Sequence, residues 1–262
     1  MTDPPTTRRR GARSRRGGEP VAPPAEITTP PAPRQMTMTF DADAPAPAPA
    51  PTPRHVLPGV VHIPNWLDRG AQQRLADDFR EWARPPAGLR RPRVPTGHLM
   101  SVQSVCLGWH WYPYVYSKTA DDTDGAPVKP LPESLVELAV AAVAAAYGAR
   151  SPEAGAYSPD AAIVNLYPDA ARLGLHQDGE EPSDAPVVTL SLGDTCTFRL
   201  AAVDRRVGPF TDLAMAGGDL LVFGRENRRI FHGVPKVFPG TAPFDLGFPG
   251  RLSITVRETG LS

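Results

Sequence analysis

The segment from Asp160 to Glu181, which reads DAAIVNLYPDAARLGLHQDGEE, decides how the rest of the chain is interpreted. It begins with a strand-like run from Ala161 to Tyr167, turns at Pro168-Asp169, and then reaches His176-Gln-Asp178. Side chains two positions apart in an extended segment lie on the same side of it. His176 and Asp178 are therefore a candidate pair of metal ligands.

A second histidine far along the chain is the candidate for a third ligand. Two histidines and one carboxylate form the facial triad that holds non-haem Fe(II) and leaves coordination positions open. His232, in Phe231-His232-Gly233, suits this role. Taken alone, H-x-D motifs are common, and an isolated histidine is more often a hydrogen-bonded structural residue. The metal interpretation therefore depends on the residues downstream of His232.

The run RLSITVR, from Arg251 to Arg257, predicts a strand with an arginine at each end. Iron with three protein ligands has three further positions, enough for a bidentate 2-oxo acid and O2. The far carboxylate of a dicarboxylate cosubstrate needs a cation, and arginine offers bidentate, permanently charged recognition. A pair of surface salt bridges is the alternative. It is less favoured because a spacing of six places both arginines on one face of an apolar strand.

Charge and cysteine content restrict the class of protein. The 28 Lys+Arg and 28 Asp+Glu give a net charge of zero, which does not support strong nonspecific binding of nucleic acid. Cys106 and Cys196 have no metal-ligand spacing, which predicts a reducing cytoplasm and excludes a disulfide scaffold. No apolar run reaches the roughly 20 residues of a membrane span. We therefore expect a cytoplasmic protein with no membrane partner, and nothing in the sequence indicates assembly beyond a monomer.

Two regions of the chain differ in composition. Residues 1–55 contain 13 of the 33 prolines and eight arginines, with little apolar surface to offset the entropy of ordering. This region predicts a disordered Arg/Pro/Ala-rich tail, and residues 56–262 predict one folded domain. The basic head of the tail would contact nucleic-acid backbone or, as the favoured alternative, is merely solvated.

Periodicity in residues 56–262 predicts two helices followed by many short strands. Asp68 is the expected cap of the first helix, and Leu135–Tyr147 predicts a buried helix that ends at Gly148. Val187–Leu192 and Thr195–Leu200 predict a strand pair. This order favours an α+β, mostly β fold with a double-stranded β-helix (jelly-roll) core and outer helices. The basic, proline-punctuated segment that begins at Leu89 predicts a lid hairpin with a charged tip.

Read together, these motifs resemble the AlkB-type Fe(II)/2-oxoglutarate-dependent dioxygenases, which repair alkylated nucleic acids. The resemblance covers roughly Val56 to Glu258, keeps the motif spacing, and leaves the first 55 residues unexplained. The matching motifs are Asn165-Leu-Tyr167, Leu175-His176-Gln-Asp178, Val188-Thr-Leu-Ser-Leu-Gly193, Gly218-Asp219-Leu-Leu-Val-Phe-Gly224, Phe231-His232-Gly233 and Arg251-x5-Arg257, with Leu107-Gly-Trp109, Tyr114-Val-Tyr116-Ser117 and the run from Pro95 to Val102 upstream.

The resemblance implies a role for each matching residue. His176, Asp178 and His232 would hold iron. Residues that would bind 2-oxoglutarate are Asn165, Tyr167, Arg251, Ser253 and Arg257, with Arg251 at the distal carboxylate. On the substrate side, Trp109 would stack on a flipped-out base opposite His176, and Tyr114 would contact the substrate backbone. Ile163 and Glu180 would line the base pocket. A lid that carries Arg90, Arg91 and Arg93 would contact the nucleic-acid backbone.

Two positions depart from the family pattern. Ser253 stands where many members have an asparagine that touches the cosubstrate, so a water bridge would be needed and 2-oxoglutarate binding would weaken. Glu180 stands where bacterial members commonly have an aspartate, which would alter the preferred lesion. The aromatic segment after Trp109 is also about two residues shorter, so no substrate contact is carried over to Trp111 or Tyr112.

The activity that the resemblance implies is oxidative demethylation of N-alkylated bases such as 1-methyladenine and 3-methylcytosine. Fe(II), O2 and 2-oxoglutarate would be used, and formaldehyde, succinate and CO2 released. Single-stranded DNA is the expected substrate because it exposes the pairing edge, with double-stranded DNA and RNA as alternatives. A hydroxylase of a non-nucleic-acid substrate and a catalytically silent nucleic-acid-binding relative are the two rival hypotheses.

Overall fold

The computed structural model describes residues 51–168 and 170–262. Most of the predicted tail, residues 1–50, lies outside this range. The first strand of the described part begins at Arg54, slightly before the predicted domain boundary. The predicted jelly-roll architecture with outer helices is confirmed, because two antiparallel sheets face each other and helices cover the larger one.

The secondary structure comprises thirteen strands and three α-helices among the described residues. The strands are β1 (Arg54–Leu57), β2 (Val60–Ile63), β3 (Gln103–Leu107), β4 (His110–Tyr112), β5 (Val115–Ser117), β6 (Ala161–Tyr167), β7 (Leu173–His176), β8 (Val187–Gly193), β9 (Thr195–Leu200), β10 (Thr211–Met215), β11 (Leu220–Phe223), β12 (His232–Phe238) and β13 (Arg251–Arg257). The helices are α1 (Arg69–Trp82), α2 (Glu133–Tyr147) and α3 (Pro152–Ala156), with a 3-10 turn at Arg225–Asn227.

The strands form two facing sheets and one separate hairpin. The larger sheet has the order β1-β2-β11-β8-β13-β6-β3, and the smaller sheet has the order β10-β9-β12-β7. Strands β4 and β5 pair only with each other. The pairings within both sheets are antiparallel, so neighbouring strands bring residues that are distant in sequence side by side.

The larger sheet is buried on both faces, and its two faces differ in character. On β13, Leu252, Ile254 and Val256 pack with the apolar residues of α1 and α2. The alternate residues, which include Ser253 and Arg257, point toward the smaller sheet, because successive side chains of a strand lie on opposite faces. One face therefore builds the core, and the other supplies polar side chains to the space between the sheets.

Both predicted outer helices are present with the expected ends. The Asp68 side chain accepts a 2.7 Å hydrogen bond from the Ala71 N–H and so caps α1. Helix α2 ends at Gly148, whose φ of 95° is readily adopted only by glycine. None of the helices in residues 51–168 and 170–262 is long and apolar enough to cross a membrane.

The predicted pairing of the segments that became β8 and β9 is wrong. Strand β8 lies in the larger sheet and β9 in the smaller one, so the chain crosses between sheets at Gly193-Asp194. Gly193 has a φ of 76°, and a Cβ there would overlap the carbonyl oxygen of Gly250. The tight turn that suggested a hairpin is therefore a crossover between sheets.

The basic segment folds back on itself as predicted, although without regular strands at its tip. Bridges join Arg90 to Ser104 and Arg93 to Leu99, and the Val94 N–H donates to the carbonyl of His98. This segment, residues 90–104, leads into β3 at the edge of the larger sheet. Its position beside the space between the sheets is what a lid requires.

Candidate active site

Three potential metal ligands meet between the two sheets. His176 ends β7, His232 begins β12, and the two residues are direct partners across these strands. Asp178 follows two residues after His176, and its two carboxylate oxygens lie 3.8 Å from the Nε2 of His176 and 3.9 Å from the Nε2 of His232. One donor atom from each residue lies within 4.8 Å of the others. This donor set fits Fe(II), which favours two imidazoles and one carboxylate with open positions.

Both imidazoles are oriented by backbone carbonyls. The Nδ1 atom of His176 lies 2.9 Å from the carbonyl oxygen of Gly174, and that of His232 lies 3.0 Å from the carbonyl oxygen of Ile230. Such contacts hold the proton on Nδ1 and leave the Nε2 lone pair facing the carboxylate. Burial lowers the pKa of His232 to about 4, so its ring is neutral at physiological pH. A neutral imidazole is the form that binds a metal.

The carboxylate of Asp178 is held ionised by a buried arginine. Arg257, at the end of β13, places Nη2 3.1 Å from Oδ2 of Asp178. Burial alone would raise the pKa of Asp178, but Arg257 and both imidazoles hold it well below the ordinary value. The Nη1 of Arg257 donates to Glu181 at 2.6 Å and to the Tyr116 hydroxyl oxygen at 3.2 Å. This network connects the triad to β5.

Glu181 is the centre of that network. Its fully buried carboxylate accepts hydrogen bonds from Tyr116 and Arg257, and its other oxygen lies 3.5 Å from Arg228 Nη2 and 3.8 Å from Arg229 Nη1. Burial raises the pKa of Glu181, but the charge of Arg257 and the hydrogen bonds from Arg257 and Tyr116 together lower it overall. Glu181 was not among the residues predicted for the site. Its position directly after the predicted pocket residue Glu180 was the available indication.

The other end of β13 carries a buried arginine, Arg251, whose guanidinium is only partly hydrogen-bonded. Arg251 is 0% exposed, its Nε donates to the Ser191 hydroxyl at 3.1 Å, and its guanidinium lies 5.1 Å from the centroid of the Tyr167 ring. Within the described residues, neither terminal nitrogen of Arg251 has a hydrogen-bond partner. Because an unsatisfied buried charge is costly, Arg251 fits an anionic ligand such as the distal carboxylate of 2-oxoglutarate.

The remaining predicted cosubstrate residues lie on the same inner face. Ser253 pairs directly with Asn165 of β6, and Arg251 pairs with Tyr167. The Asn165 side-chain oxygen accepts a 2.5 Å hydrogen bond from Ser104. Burial, opposed by Arg251, raises the pKa of Tyr167 to about 12, so its hydroxyl stays protonated and can donate. Strand register thus brings these side chains together.

One cavity of about 320 Å³ joins most of these groups to the surface, although the fully buried Arg251 is not among the residues that form its wall. Its volume lies at the lower end of the range of roughly 300–1,000 Å³ that is usual for ligand pockets. Predicted site residues that line it are Tyr114, Ile163, Asn165, Tyr167, His176, Asp178, Glu180, His232, Ser253 and Arg257. Its open end includes Trp111, Pro113 and the 68% exposed Tyr114, together with Arg172 and Arg206.

Residues 59–257 match the 2OG-Fe(II) oxygenase superfamily. This span contains the triad and both arginines of β13. The chain belongs to this superfamily.

Similar proteins place it in the AlkB-type branch. The "Alpha-ketoglutarate-dependent dioxygenase AlkB homolog" of Caulobacter vibrioides (strain NA1000 / CB15N) is 35% identical over 209 residues, which cover 78% of this chain and 89% of that protein. The "DNA N(6)-methyladenine demethylase ALKBH1D" of Arabidopsis thaliana is 34% identical over 221 residues, but this chain spans only 50% of its length. The solved structure of OsALKBH1 has a TM-score of 0.70 at 30% identity and covers 79% of this chain and 100% of that one.

The predicted membership of the AlkB-type dioxygenases is therefore confirmed. The chain is an Fe(II)/2-oxoglutarate-dependent dioxygenase that uses O2. The triad would supply donors for the iron, and Arg251, whose terminal nitrogens lack partners among the described residues, would supply a cation for the cosubstrate. The assignment of individual ligands in this AlkB-type enzyme remains a prediction that these geometries support.

The three predicted lid arginines do not share one environment. Arg91 and Arg93 are exposed, whereas Arg90 is buried and ion-paired with Asp122 at 2.9 Å. Arg90 also donates to the backbone carbonyls of Ser104 and Trp111. The prediction that Arg90 contacts nucleic acid is wrong, because its donors are used to brace the base of the lid hairpin. The same roles for Arg91 and Arg93 stay predictions.

The tryptophan in the cavity wall is Trp111, whereas the resemblance had implied Trp109. Trp109 is absent from the cavity wall, and its indole N–H donates to the Asp160 carboxylate at 3.0 Å. Trp111, to which no contact was carried over, lines the cavity instead. One indication of this difference was present in the sequence, because the segment between Trp109 and Tyr114 is shorter than in the family.

Proposed function

We propose that this dioxygenase demethylates N-alkylated bases in DNA, with 1-methyladenine and 3-methylcytosine in single strands as preferred substrates and RNA as a further substrate. One observation carries the proposal: a single cavity is lined by the candidate iron triad, of which Asp178 and His232 are buried, and also by the exposed Tyr114 together with Trp111 and Glu180. A base must leave its stack to reach such a centre, and aromatic side chains at the opening suit an extruded base.

The inner residues would bind and orient the cosubstrate. When bound, Fe(II) with 2-oxoglutarate and O2 supplies the oxidation that hydroxylates the N-methyl group, with succinate and CO2 as co-products. Arg251 would pair with the distal carboxylate, and Asn165, Tyr167 and Ser253 would contact the cosubstrate along the same sheet face. Arg257 would keep Asp178 ionised beside the metal. The hydroxymethyl base then loses formaldehyde, which restores the unmodified base.

Glu180 supports the choice of cationic lesions. It lies in the cavity wall, and within residues 51–168 and 170–262 no hydrogen bond or ion pair involves its carboxylate. Alkylation at N1 of adenine or N3 of cytosine gives the ring a positive charge, which an unpaired carboxylate attracts in a site of reduced dielectric. The same alkylation removes base pairing and lowers the cost of extrusion.

Demethylation of N6-methyladenine is a second candidate function. The similarity to the Arabidopsis thaliana protein described as a DNA N(6)-methyladenine demethylase favours it. N6-methyladenine is neutral, so its recognition would gain little from the charge of Glu180. The two candidates therefore differ in how strongly they depend on this carboxylate.

A panel of oligonucleotides separates these candidates. Iron-loaded protein is given single- and double-stranded DNA that carries 1-methyladenine, 3-methylcytosine or N6-methyladenine, and mass spectrometry follows methyl loss with and without 2-oxoglutarate. We expect cosubstrate-dependent loss from the two cationic bases in single strands, reduced by Glu180→Gln. Activity on N6-methyladenine alone, unaffected by Glu180→Gln, would establish the second candidate.

Two added readouts on the same samples, succinate release and anaerobic iron binding, test the two rival hypotheses. Succinate release with every base untouched would indicate a non-nucleic-acid substrate, and failure to bind iron would indicate a catalytically silent relative. We also propose that the protein acts as a monomer in the cytoplasm. Cys106 and Cys196, both free and buried, support a reducing compartment, and size-exclusion chromatography with light scattering would test the oligomeric state.

A further inference from the structure

The indole N–H of Trp109 and one face of its ring are occupied by neighbouring residues. Its indole N–H donates to an Asp160 oxygen that also accepts a 2.6 Å hydrogen bond from the Thr259 hydroxyl. The Lys118 ammonium lies 3.3 Å from the centroid of the Trp109 ring. A cation at this distance covers a ring face that a base would need. Trp109 therefore has neither its N–H nor that face available, and it lies outside the cavity wall.

Trp111 has the opposite surroundings. Its side chain forms part of the cavity wall beside Pro113 and Tyr114. Among the described residues, no aromatic or cationic group contacts its ring and no acceptor takes its indole N–H. His110, its neighbour in β4, points the other way and is buried against Asp122. The strand thus directs Trp111 toward the space where the substrate would lie.

The backbone of Trp111 is fixed on both sides. Its N–H donates to the Cys106 sulfur at 3.4 Å, and its carbonyl accepts a hydrogen bond from Arg90. Arg90 is itself held by Asp122, which also binds His110 at 2.6 Å. A ring on a fixed backbone loses little conformational entropy when a ligand stacks on it. The buried Arg90 thereby acquires a function as a positioning residue for Trp111.

We propose that Trp111, and not Trp109, provides the aromatic face on which the extruded base stacks. This inference rests on the proposed function, since it assumes a nucleobase substrate. Stacking needs an open π-face at the wall of the site, and of these two tryptophans only Trp111 lines the cavity, whereas Trp109 lies outside the wall with Lys118 over its ring. Its free indole N–H can in addition donate to an acceptor on the base or its phosphate.

The test measures binding with iron and 2-oxoglutarate present but O2 excluded, so that no turnover occurs. Anisotropy of a labelled single-stranded oligonucleotide gives the affinity for one 1-methyladenine relative to the unmodified strand. We expect Trp111→Leu to reduce this preference by about tenfold to a hundredfold, as removal of a stacking partner does. The same substitution at the other site, Trp109→Leu, should keep the preference while lowering the thermal unfolding midpoint.

Fluorescence provides a second readout that tolerates a loss of stability. A base stacked on an indole quenches its emission, so lesion-dependent quenching should vanish in Trp111→Phe and persist in Trp109→Phe, with both proteins binding the oligonucleotide. Quenching that vanishes in Trp109→Phe and persists in Trp111→Phe would overturn the inference. Wild-type protein that shows no preference for the alkylated strand would instead refute the proposed function.

Discussion

The closed end of the cavity and its opening are built in different ways. At the closed end, Ser253 and Arg257 line the cavity and project from one long strand that also carries the buried Arg251, and the partners of all three lie in register on β6 and β8. The opening is formed by the β4–β5 hairpin and the lid hairpin, which pair only locally or by isolated bridges. The closed end is thus a preformed, charged site, and the opening is an exposed surface that can vary independently.

Loss of a metal ligand has the largest expected effect and tests the closed end directly. Asp178→Ala removes the only carboxylate among the three candidate ligands and leaves Arg257 with Glu181 as its remaining ion-pair partner. Anaerobic Fe(II) titration should show loss of binding, and succinate formation should fall by more than the roughly 10- to 100-fold typical of residues that only support a ligand. The exposed Asp184→Ala in the same loop serves as control. Retained iron affinity in Asp178→Ala would contradict the assignment.

Arg251 separates a binding role from a structural role at the same end. Arg251→Met keeps the bulk of the side chain and removes its charge, so the KM for 2-oxoglutarate should rise roughly 10- to 100-fold, the loss of charge-assisted hydrogen bonds. Because its terminal nitrogens lack partners, the protein without cosubstrate should lose no stability. Thermal unfolding with and without 2-oxoglutarate measures both effects.

Arg199→Met is the matched control for that experiment, since this half-buried arginine is already paired with Asp212 at 2.7 Å. It should leave the KM and the stabilisation by 2-oxoglutarate unchanged. A strong loss of stability in Arg251→Met together with an unchanged KM would show that Arg251 is a structural residue.

A substitution of Glu181 tests the hydrogen-bond network that joins the triad at the closed end to the β4–β5 hairpin at the opening. Glu181→Gln leaves Arg257 and Arg228 with fewer compensating charges in a buried site, at a cost of about 3 kcal/mol of unfolding free energy. The folded-state pKa of Glu181 is lowered from 4.5, so its contribution is present above about pH 4.5 and is lost as pH falls through the folded pKa. Denaturant unfolding between pH 3 and 7 should therefore be flatter in the variant. Identical pH profiles would contradict this account.

The smallest effect is expected at the lid. The double substitution of Arg91 and Arg93 by alanine should weaken binding of single-stranded DNA and reduce the salt slope, by about 0.7 for each phosphate that is no longer neutralised, without changing stability. Arg90→Ala should instead lower the unfolding midpoint, because Asp122 loses its arginine partner and keeps only His110. Equal salt slopes in wild type and the double variant would show that the lid does not touch the nucleic-acid backbone.

The sequence predicts the closed end well because its residues lie on regular elements. The alternation in Arg251–Arg257 and the H-x-D spacing fix which side chains face inward, and the pairing of β7 with β12 then brings His176 beside His232. The opening is predicted poorly because short loops set it. Arg90 reads as a surface cation, yet its neighbours Asp122 and Trp111 are 32 and 21 residues away. Nor can local sequence show that Gly193 leads into a second sheet.

The most direct test of the assigned activity is a single-turnover measurement on a single-stranded oligonucleotide with one 1-methyladenine. Succinate, formaldehyde and restored adenine are quantified together, with His176→Ala as the control. Equal amounts of all three products, absent in the control, are the predicted result. Succinate formed while the methylated base persists would contradict the claim that the opening receives an alkylated base, and no succinate at all would contradict the assignment of the closed end.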